Sequence, residues 1–441
     1  MATTPYDSGL YRDLFHDAEI GSLFSDSAEI RAMMLVEGAL AKVQGQLDII
    51  PELSAAFITR STREIQVDPT GLAAETGMNG IPVPALVKAM RKAMEAPEHA
   101  QFLHFGATTQ DIMDTALALR LRQVLALIEK RMTAVLHLLG DMAETHAELP
   151  MAGRTWMQVA TPTSFGAVVA GWGLPLLDLY DRRDAVKAGV ITVSLSGAAG
   201  TGAAYGPKAA ELRENLAKEL RLRNRESSWH SARHGIAGLS AWATQISASL
   251  AKMGEDVLLM TQSEIGELRL GAQGSSSTMP QKQNPVLPSL LSALARGVIG
   301  ANTVVQGAAI HRQQRDAAAW MSEWIALGQV CMGAGRGLAA AEEMLQHLTP
   351  DAATMRRNID DGRGLIYAEA LQFALTDRMP RPDAQAAVKE LCQTIIKDGG
   401  SLKDAALARW DAPELAAVFT PEAQLGLAPS DAQTFAVKAH V

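Results

Sequence analysis

The stretch that follows Asp111 carries an apolar stripe longer than a small domain is wide. Its apolar residues recur at spacings of three and four, which predicts one face of a helix. They are Leu117, Leu121, Val124, Ile128, Met132, Val135, Leu139 and Met142. About thirty helical residues span roughly 45 Å. Comparable stripes run from Trp242 to Met260 and over 287–306. Helices this long bury their stripes only side by side, so we expect a bundle whose remaining apolar faces favour self-association.

Composition agrees with an all-α fold and narrows the classes of partner. The 441 residues are 48% hydrophobic but only 5% aromatic, which suits packing of helix on helix. A net charge of -8 without a basic block argues against nucleic acid. Cys331 and Cys392 are too few for a disulfide framework, so we expect a reducing cytoplasm. No secretory signal is evident, and the apolar span Phe165–Leu177 is too short for a bilayer.

Turn residues divide the chain into three predicted helical domains. A helix is predicted from Glu29 to near Pro51 with Ser27 as its cap, followed by shorter helices over 52–100. After Leu348 the helices shorten again, with breaks at Gly399-Gly400 and Pro429. The predicted domains are an N-terminal domain over 1–111, a central long-helix domain over 112–348 and a small C-terminal domain over 349–441.

The segment 271–285, Gly-Ala-Gln-Gly-Ser-Ser-Ser-Thr-Met-Pro-Gln-Lys-Gln-Asn-Pro, interrupts the long helical patterns. Two glycines and three serines disfavour a helix, so we expect a mobile loop. Such a run is often a plain linker. However, a linker between domains seldom interrupts a helical core, and Lys282 with nearby amides offers a field that stabilises a serine alkoxide.

Two further segments offer anion-binding groups, each with an ordinary structural alternative. His104 lies just before Thr108, Thr109 and Asp111, which are candidate caps for the first long helix. A helix N-terminus of this kind binds carboxylates, but it is equally a simple cap beside a packed histidine. In Gly153–Gln158 the side chains of Arg154, Thr155 and Gln158 could all reach a ligand. Equally, Arg154 suits an ion pair with a surface carboxylate, and Trp156 suits ordinary core packing.

Three other patterns have residues that occur in metal, cofactor or carboxylate sites. His230 and His234 have the spacing of two ligands on one helical face, but Ser231 stands where the zinc-protease motif has glutamate. Gly200-Thr-Gly202 lacks the third glycine and the strand-helix-strand unit of a dinucleotide site. We therefore expect no metal and no cofactor. A cluster in a helix-interrupting stretch suits carboxylate recognition or a solvated basic turn. It contains Arg312, Arg315, Trp320, Glu323 and Trp324.

Taken in order, these segments resemble the fumarase/aspartase superfamily over most of the chain. The segment 271–285 is similar to its signature Gly-Ser-Ser-x-Met-Pro-x-Lys-x-Asn. The resemblance makes Ser276 the catalytic serine, with a one-residue ambiguity to Ser275, and assigns Lys282 to the same catalytic group. It further implies substrate contacts from a set of residues on several segments. They are His104, Thr108, Thr109, Arg154, Thr155, Trp156, Gln158, Arg233, Ser277, Met279, Asn284 and Arg315.

The resemblance also implies an architecture and an assembly. Members have three all-helical domains, and their central long helices form a twenty-helix core in a homotetramer. Each active site there is built from three subunits. A small polycarboxylate is the implied substrate, and no cofactor is used.

Two departures narrow the resemblance to one branch. Most members that release fumarate have a histidine where this chain has Trp156, and a glutamate partner where it has Ser289. Losing both ends of a pair is informative because neither partner has much catalytic use alone. The run Gly-Arg-Thr-Trp-x-Gln-x-Ala-Thr-Pro looks like bacterial 3-carboxy-cis,cis-muconate cycloisomerases. Departures from that branch at the substrate contacts that the resemblance implies leave the exact substrate open. They are Ala232, His234, Gln281 and Gln314.

The resemblance thus implies a cycloisomerase that closes a lactone in the degradation of aromatic compounds such as protocatechuate, by the β-ketoadipate route. A carboxylate of 3-carboxy-cis,cis-muconate adds across a double bond to give 4-carboxymuconolactone. The alternative is a C–N or C–O lyase that releases fumarate from a substituted succinate, of an adenylosuccinate-like or nitrosuccinate-like kind. An inactive structural homologue is a third possibility, against which Ser276, Lys282 and Asn284 argue.

Overall fold

The structure, a computed structural model, describes residues 4–271, 279 and 282–441. Its N-terminal part consists of short and medium helices joined by turns at Asp68-Pro69 and Asn79-Gly80, as predicted. These helices are α1 (Arg12–Phe15), α2 (Ala18–Leu23), α3 (Asp26–Gln46), α4 (Glu52–Glu64), α5 (Ala73–Asn79), α6 (Val83–Met94) and α7 (Pro97–Ala100).

The middle of the chain contains the long helices that the apolar stripes predict. The helices of this part are α8 (Thr109–Thr145), α9 (Phe165–Asp181), α10 (Arg183–Val190), α11 (Ala209–Leu220), α12 (His234–Met260), α13 (Val286–Ala308) and α14 (Ala317–His347). With 37 residues, α8 is about 55 Å long at the standard rise. Its stripe is buried, since Leu121, Ile128 and Leu139 are each 0% exposed.

The C-terminal part returns to short helices, and two small antiparallel sheets complete the regular structure. The remaining α-helices are α15 (Ala352–Ile359), α16 (Ala368–Ala374), α17 (Arg381–Asp398), α18 (Leu402–Trp410) and α19 (Ala428–Ala439). The strands are β1 (Pro150–Thr155), which pairs with β2 (Gln158–Ser164), and β3 (Leu268–Arg269), which pairs with β4 (Thr349–Pro350). The 3₁₀ helices are Pro5–Asp7, Pro69–Leu72, Ala203–Lys208, Leu365–Tyr367, Leu375–Asp377, Pro413–Phe419 and Glu422–Gln424.

The predicted all-α fold class is therefore confirmed. Contacts divide it into two compact units, one over 1–130, 179–247 and 294–337 and the other over 131–178, 248–293 and 338–441. The sequence-based division at 111 and 348 remains a prediction.

Each unit has its own core. In the first unit, buried side chains of α3, α4, α6 and the start of α8 form one cluster, which includes Met33, Leu40, Ile58, Leu86 and Ile112. In the second unit, α16, α17 and α18 enclose a smaller cluster, which includes Leu371, Leu375, Val388 and Leu402.

Two element boundaries differ from the prediction for identifiable reasons. Ser25, not Ser27, caps α3: its backbone is extended and its Oγ accepts a hydrogen bond from the Ala28 amide at 3.3 Å. Pro429 does not break a helix but lies in the first turn of α19, where its missing N–H costs nothing.

Helix α14 was not predicted from the sequence, and the stretch containing Trp320, Glu323 and Trp324 is helical rather than helix-interrupting. Its glycines conceal the helix in the sequence because glycine is a poor helix former. At Gly333, however, an added Cβ would lie 2.4 Å from the Val298 Cγ2 on α13. The glycine is therefore required for the close approach of the two helices.

Candidate active site

The N-terminus of α8 gathers the hydroxyl groups and the arginine that the sequence suggested as a carboxylate site. Arg315 donates hydrogen bonds to the Thr108 Oγ1 at 2.7 Å, the Thr109 Oγ1 at 3.1 Å and the Gln110 Oε1 at 3.1 Å. We call Thr108, Thr109 and Arg315 the N-terminal anion group. Its guanidinium, its hydroxyls and the positive end of the helix together suit a substrate carboxylate.

Asp111 fixes the backbone around this group. Its side chain is fully buried and accepts hydrogen bonds from the amides of Thr108 at 3.0 Å, Ser196 at 2.8 Å and Gly197 at 2.9 Å. Its Oδ1 also lies 2.8 Å from the His230 Nε2. Through these hydrogen bonds Asp111 joins the start of α8 to two other segments.

His230 and His234 do not lie on one helical face, so their spacing in the sequence does not correspond to two neighbouring side chains of a helix. Helix α12 begins only at His234, and His230 precedes it as a buried residue whose ring contacts Asp111. His234 instead lies 3.0 Å from an Arg225 side-chain nitrogen. Within the described ranges, no group of three or more His, Cys, Asp or Glu residues is placed to hold a metal ion.

Arg233 is buried in an ion triad, which counts against the substrate contact predicted for it. Its guanidinium donates to both carboxylate oxygens of Asp114, at 2.7 and 3.1 Å, and to Glu323 at 2.9 Å. The Trp229 ring covers it at 4.8 Å from the ring centroid. Burial alone would lower the pKa of Arg233, but Asp114 and Glu323 raise it above its ordinary value. Four of its five N–H groups donate to these two carboxylates inside the protein.

The triad has two carboxylates and one guanidinium, and this imbalance affects the pKa of Glu323. Burial raises the pKa of Glu323 above its ordinary range, and repulsion from Asp114 adds to the effect while Arg233 opposes it. One arginine cannot neutralise two buried carboxylates. The sequence drew attention to Glu323, but it gave no sign that Asp114 would be its neighbour.

His104 lies four positions before Thr108 and is paired with a carboxylate that the sequence analysis missed. Its Nδ1 is 2.6 Å from the Oε1 of Glu37 on α3, whose side chain is 1% exposed. The signal for Glu37 was available, because it is a lone acid within the apolar core-facing run of α3.

The Gly153–Gln158 segment, in the second compact unit, is a β-hairpin rather than the lead-in to a helix. Thr155 pairs with Gln158, and Trp156 and Met157 form the two-residue turn with φ of 52° and 63°. Gly153 permits close strand pairing, because an added Cβ would lie 2.6 Å from the Thr161 carbonyl oxygen. Trp156 is 97% exposed at the tip. The sequence hid the hairpin because its turn lacks the usual Asn-Gly or Gly residues.

Arg154 anchors this hairpin instead of reaching freely into solvent. Its guanidinium donates two hydrogen bonds to Glu267, at 2.6 and 2.8 Å, and Glu267 is fully buried. Asn358 on α15 donates to the same carboxylate at 3.1 Å. Glu267 and Asn358 were not singled out in the sequence, since they are 113 and more residues away from Arg154 along the chain. The geometry favours an anchoring role for Arg154 over the predicted substrate contact.

The signature segment is described only in part. Ser276 and Ser277 lie outside the described residues. Met279, Lys282 and Asn284 are exposed, and the Lys282 amide donates to the Met279 carbonyl at 3.0 Å. Ser289 is on the first turn of α13, and its hydroxyl donates to the Pro285 carbonyl at 2.7 Å. The position expected to carry a glutamate therefore holds a small hydroxyl bonded to its own helix.

The candidate residues thus form two sets, one in each compact unit. The first unit holds His104 and the N-terminal anion group, and the second holds the hairpin tip and the signature segment. In the part of the chain that is described, no helix has the length and apolarity needed to cross a membrane. The all-helical fold with an arginine-hydroxyl group at a helix N-terminus defines a class of helical proteins equipped to bind small anions.

Comparisons with known proteins identify the family. A family model described as Lyase matches residues 16–300. The chain is 34% identical to the 3-carboxy-cis,cis-muconate cycloisomerase of Pseudomonas aeruginosa, over 89% of this chain and 87% of that protein. It is also 34% identical to the nitrosuccinate lyase of Streptomyces davaonensis, over 96% and 93%. The crystal structure of 3-carboxy-cis,cis-muconate lactonizing enzyme from Pseudomonas putida superposes with a TM-score of 0.92 at 30% identity, covering 98% of this chain and 99% of that one. The chain belongs to the lyase family of the fumarase/aspartase superfamily.

Proposed function

We propose that this protein is a cycloisomerase that converts 3-carboxy-cis,cis-muconate into 4-carboxymuconolactone during the degradation of aromatic compounds. The observation that carries this proposal is a double replacement, Trp156 at the hairpin tip and Ser289 on α13. An enzyme that expels an amine or alkoxide benefits from an acid-base pair at these positions. A carboxylate that closes a lactone is the nucleophile and needs no protonated leaving group.

The proposed reaction adds one substrate carboxylate to a carbon-carbon double bond. The carboxylate oxygen forms the new C–O bond, and the π electrons move into a neighbouring carboxylate as an aci-carboxylate. Lys282, Asn284 and the N-terminal anion group stabilise that developing charge. Ser276 then transfers its hydroxyl proton to the adjacent carbon, and solvent returns the proton to the serine.

The geometry of the anion group supports this mechanism. Its three side chains contact one another at the helix N-terminus, so a carboxylate that replaces these internal contacts meets a guanidinium and two hydroxyls already converged. At the tip of the hairpin, Trp156 is 97% exposed and Thr155 and Gln158 are exposed as well, as a contact with substrate or with another subunit requires. Thr155 and Gln158 flank it on the paired strands.

A homotetramer with active sites shared between subunits is part of the same proposal. Helices α13 and α14 carry large apolar side chains that are exposed in the single chain. They include Ile299 at 48%, Val304 at 41%, Trp324 at 38% and Ile325 at 67% exposure. Apolar stripes on long helices are the kind of surface that buries itself in self-association.

A fumarate-releasing C–N lyase is the second candidate, favoured by the similarity to a nitrosuccinate lyase over almost the whole chain. The residues Ala232, His234, Gln281 and Gln314, where the chain departs from the cycloisomerase pattern, allow a different substrate. Trp156 and Ser289 count against a lyase that must protonate its leaving group.

Ultraviolet absorbance of the conjugated diene distinguishes the two candidates. Adding the enzyme to 3-carboxy-cis,cis-muconate is expected to remove the diene absorbance, while nitrosuccinate and N-substituted succinates yield no fumarate. The reverse pattern would establish the lyase instead, and no turnover of any of these substrates would favour an inactive homologue.

Matched serine variants test the proton donor. Ser276→Ala is expected to lower kcat by about 10²- to 10⁴-fold, the usual contribution of a positioned acid or base. Ser275→Ala is the control and should keep most of the activity. The opposite result would shift the register of the catalytic serine by one residue.

A further inference from the structure

Glu37 is a buried carboxylate with only half of its hydrogen-bonding capacity used. Its side chain is 1% exposed, and its Oε1 contacts the His104 Nδ1 at 2.6 Å. Its Oε2 is not exposed to solvent and has no hydrogen-bond partner among the described residues. An anion in such a position is costly unless a cation lies beside it. A protonated His104 is the cation that this geometry provides.

The outer edge of the His104 ring is available to a ligand. No described residue forms a hydrogen bond with its Nε2. That nitrogen is not fully buried, so it is accessible to solvent. The ring keeps 19% exposure. His104 also has a φ of +65°, an uncommon conformation for a residue other than glycine. Backbone strain of this kind is often retained where it orients a functional side chain.

The surrounding charges favour the protonated ring. Glu37 on α3 and Asp111 on α8 are acidic, Arg91 on α6 is basic, and Tyr205 of the Ala203–Lys208 helix is neutral because burial raises the pKa of its hydroxyl. Burial by itself lowers the pKa of His104. The two carboxylates outweigh burial and Arg91, so the pKa of His104 lies above its ordinary value.

We propose that Glu37 holds His104 as an imidazolium whose Nε2–H donates to a second carboxylate of the substrate, beside the N-terminal anion group. His104 is then a cationic binding residue, and Glu37 is a positioning residue that acts through it. The inference rests on the proposed function only in that the ligand is a polycarboxylate. His104 then supplies a second positive charge beside Arg315, whose guanidinium already donates to Thr108, Thr109 and Gln110.

A histidine titration tests the charge state without any substrate. The protein is labelled at histidine ring carbons, and the signal lost in His104→Gln identifies the ring in NMR spectra. Wild-type His104 is expected to titrate above the ordinary histidine value of about 6.5, and Glu37→Gln should lower that midpoint. Glu219→Gln is the control, because Glu219 is paired with Lys42 of the same helix α3 and should leave His104 unchanged. A wild-type midpoint at or below the ordinary value overturns the proposal even if Glu37→Gln does not fold.

Calorimetric binding of propane-1,2,3-tricarboxylate tests the role in recognition. Wild-type affinity is expected to fall by about tenfold or more as pH rises through the His104 midpoint, in line with the loss of a charge-assisted hydrogen bond. In Glu37→Gln the fall should move to lower pH, and in His104→Gln it should vanish. Absence of tricarboxylate binding, or equal weakening of Glu37→Gln at every pH, overturns the proposal. If binding depends on pH in this way but no lactone forms, the role of His104 and Glu37 stands and only the cycloisomerase function is rejected.

Discussion

Arg233 illustrates how burial decides the role of a charged side chain. The family resemblance implied that Arg233 is a substrate contact. In the structure it is enclosed with Asp114 and Glu323, which are 119 and 90 residues away in sequence. Pairing over such separations leaves no local pattern, so the sequence did not indicate that these two carboxylates surround Arg233.

Removal of Arg233 should therefore affect stability first. Arg233→Leu leaves two buried carboxylates without their cation and is expected to lower the free energy of unfolding by about 3–5 kcal/mol. Arg60→Leu removes an exposed pair with Glu64 and should change it by less than about 1 kcal/mol. Chemical denaturation measures both. If the Arg233→Leu enzyme is as stable as the wild type and has a raised KM, Arg233 contacts the substrate as the resemblance implied.

Backbone strain at the hairpin tip predicts a substitution that raises stability, unlike Arg233→Leu. Trp156 and Met157 both have positive φ, which costs a side-chain-bearing residue roughly 1 kcal/mol relative to glycine. Met157→Gly is expected to raise the free energy of unfolding by about that amount in a denaturant titration. Lower stability would mean that the exposed Met157 side chain makes contacts that outweigh the strain.

The pair His104 and Glu37 makes stability depend on pH. Since folding raises the pKa of His104, its contribution is fully present below the unfolded value of about 6.5 and is lost as pH rises through the folded value. The difference in unfolding free energy between wild type and His104→Gln should shrink across that window. A difference that grows with pH would contradict a raised pKa.

Helices α8, α12 and α13 could be predicted from their apolar stripes. A helix that buries one face along its whole length has apolar residues at a regular spacing in the sequence. Helix α14 escaped prediction because its glycines serve packing rather than helix formation. The β1–β2 hairpin escaped because Trp156 and Met157 are unusual turn residues. In both cases close packing or function overrides local propensity.

The crossing of α13 and α14 can be tested at one glycine. Gly333→Ala forces a methyl group against Val298 and is expected to cost about 1–3 kcal/mol of stability, as overpacking does. Gly77→Ala, on the exposed side of α5, meets no atom within 4 Å and should be neutral or mildly stabilising. Thermal unfolding of the two variants compares them directly. Equal effects would show that the helices separate at little cost.

The proposed assembly extends the account from one chain to the oligomer. Ile325 on α14 is a large aliphatic side chain with 67% exposure, which favours an interface between copies. Ile325→Lys is expected to shift the protein towards smaller species in sedimentation velocity and to reduce activity. Ile396→Lys changes a similarly exposed residue of α17, at 63%, and is the control for charge alone. A monomeric wild-type enzyme with full activity would contradict shared sites.

The superfamily and its fold follow from ordered motifs that the sequence states directly, whereas Glu37, Glu267 and Asn358 become visible only when the chain is folded. The central claim concerns the reaction itself, and turnover of 3-carboxy-cis,cis-muconate in D₂O tests it most directly. Proton NMR of the product should show one lactone with a single carbon-bound deuterium and no fumarate. Formation of fumarate from a substituted succinate, with the muconate left unchanged, would contradict it.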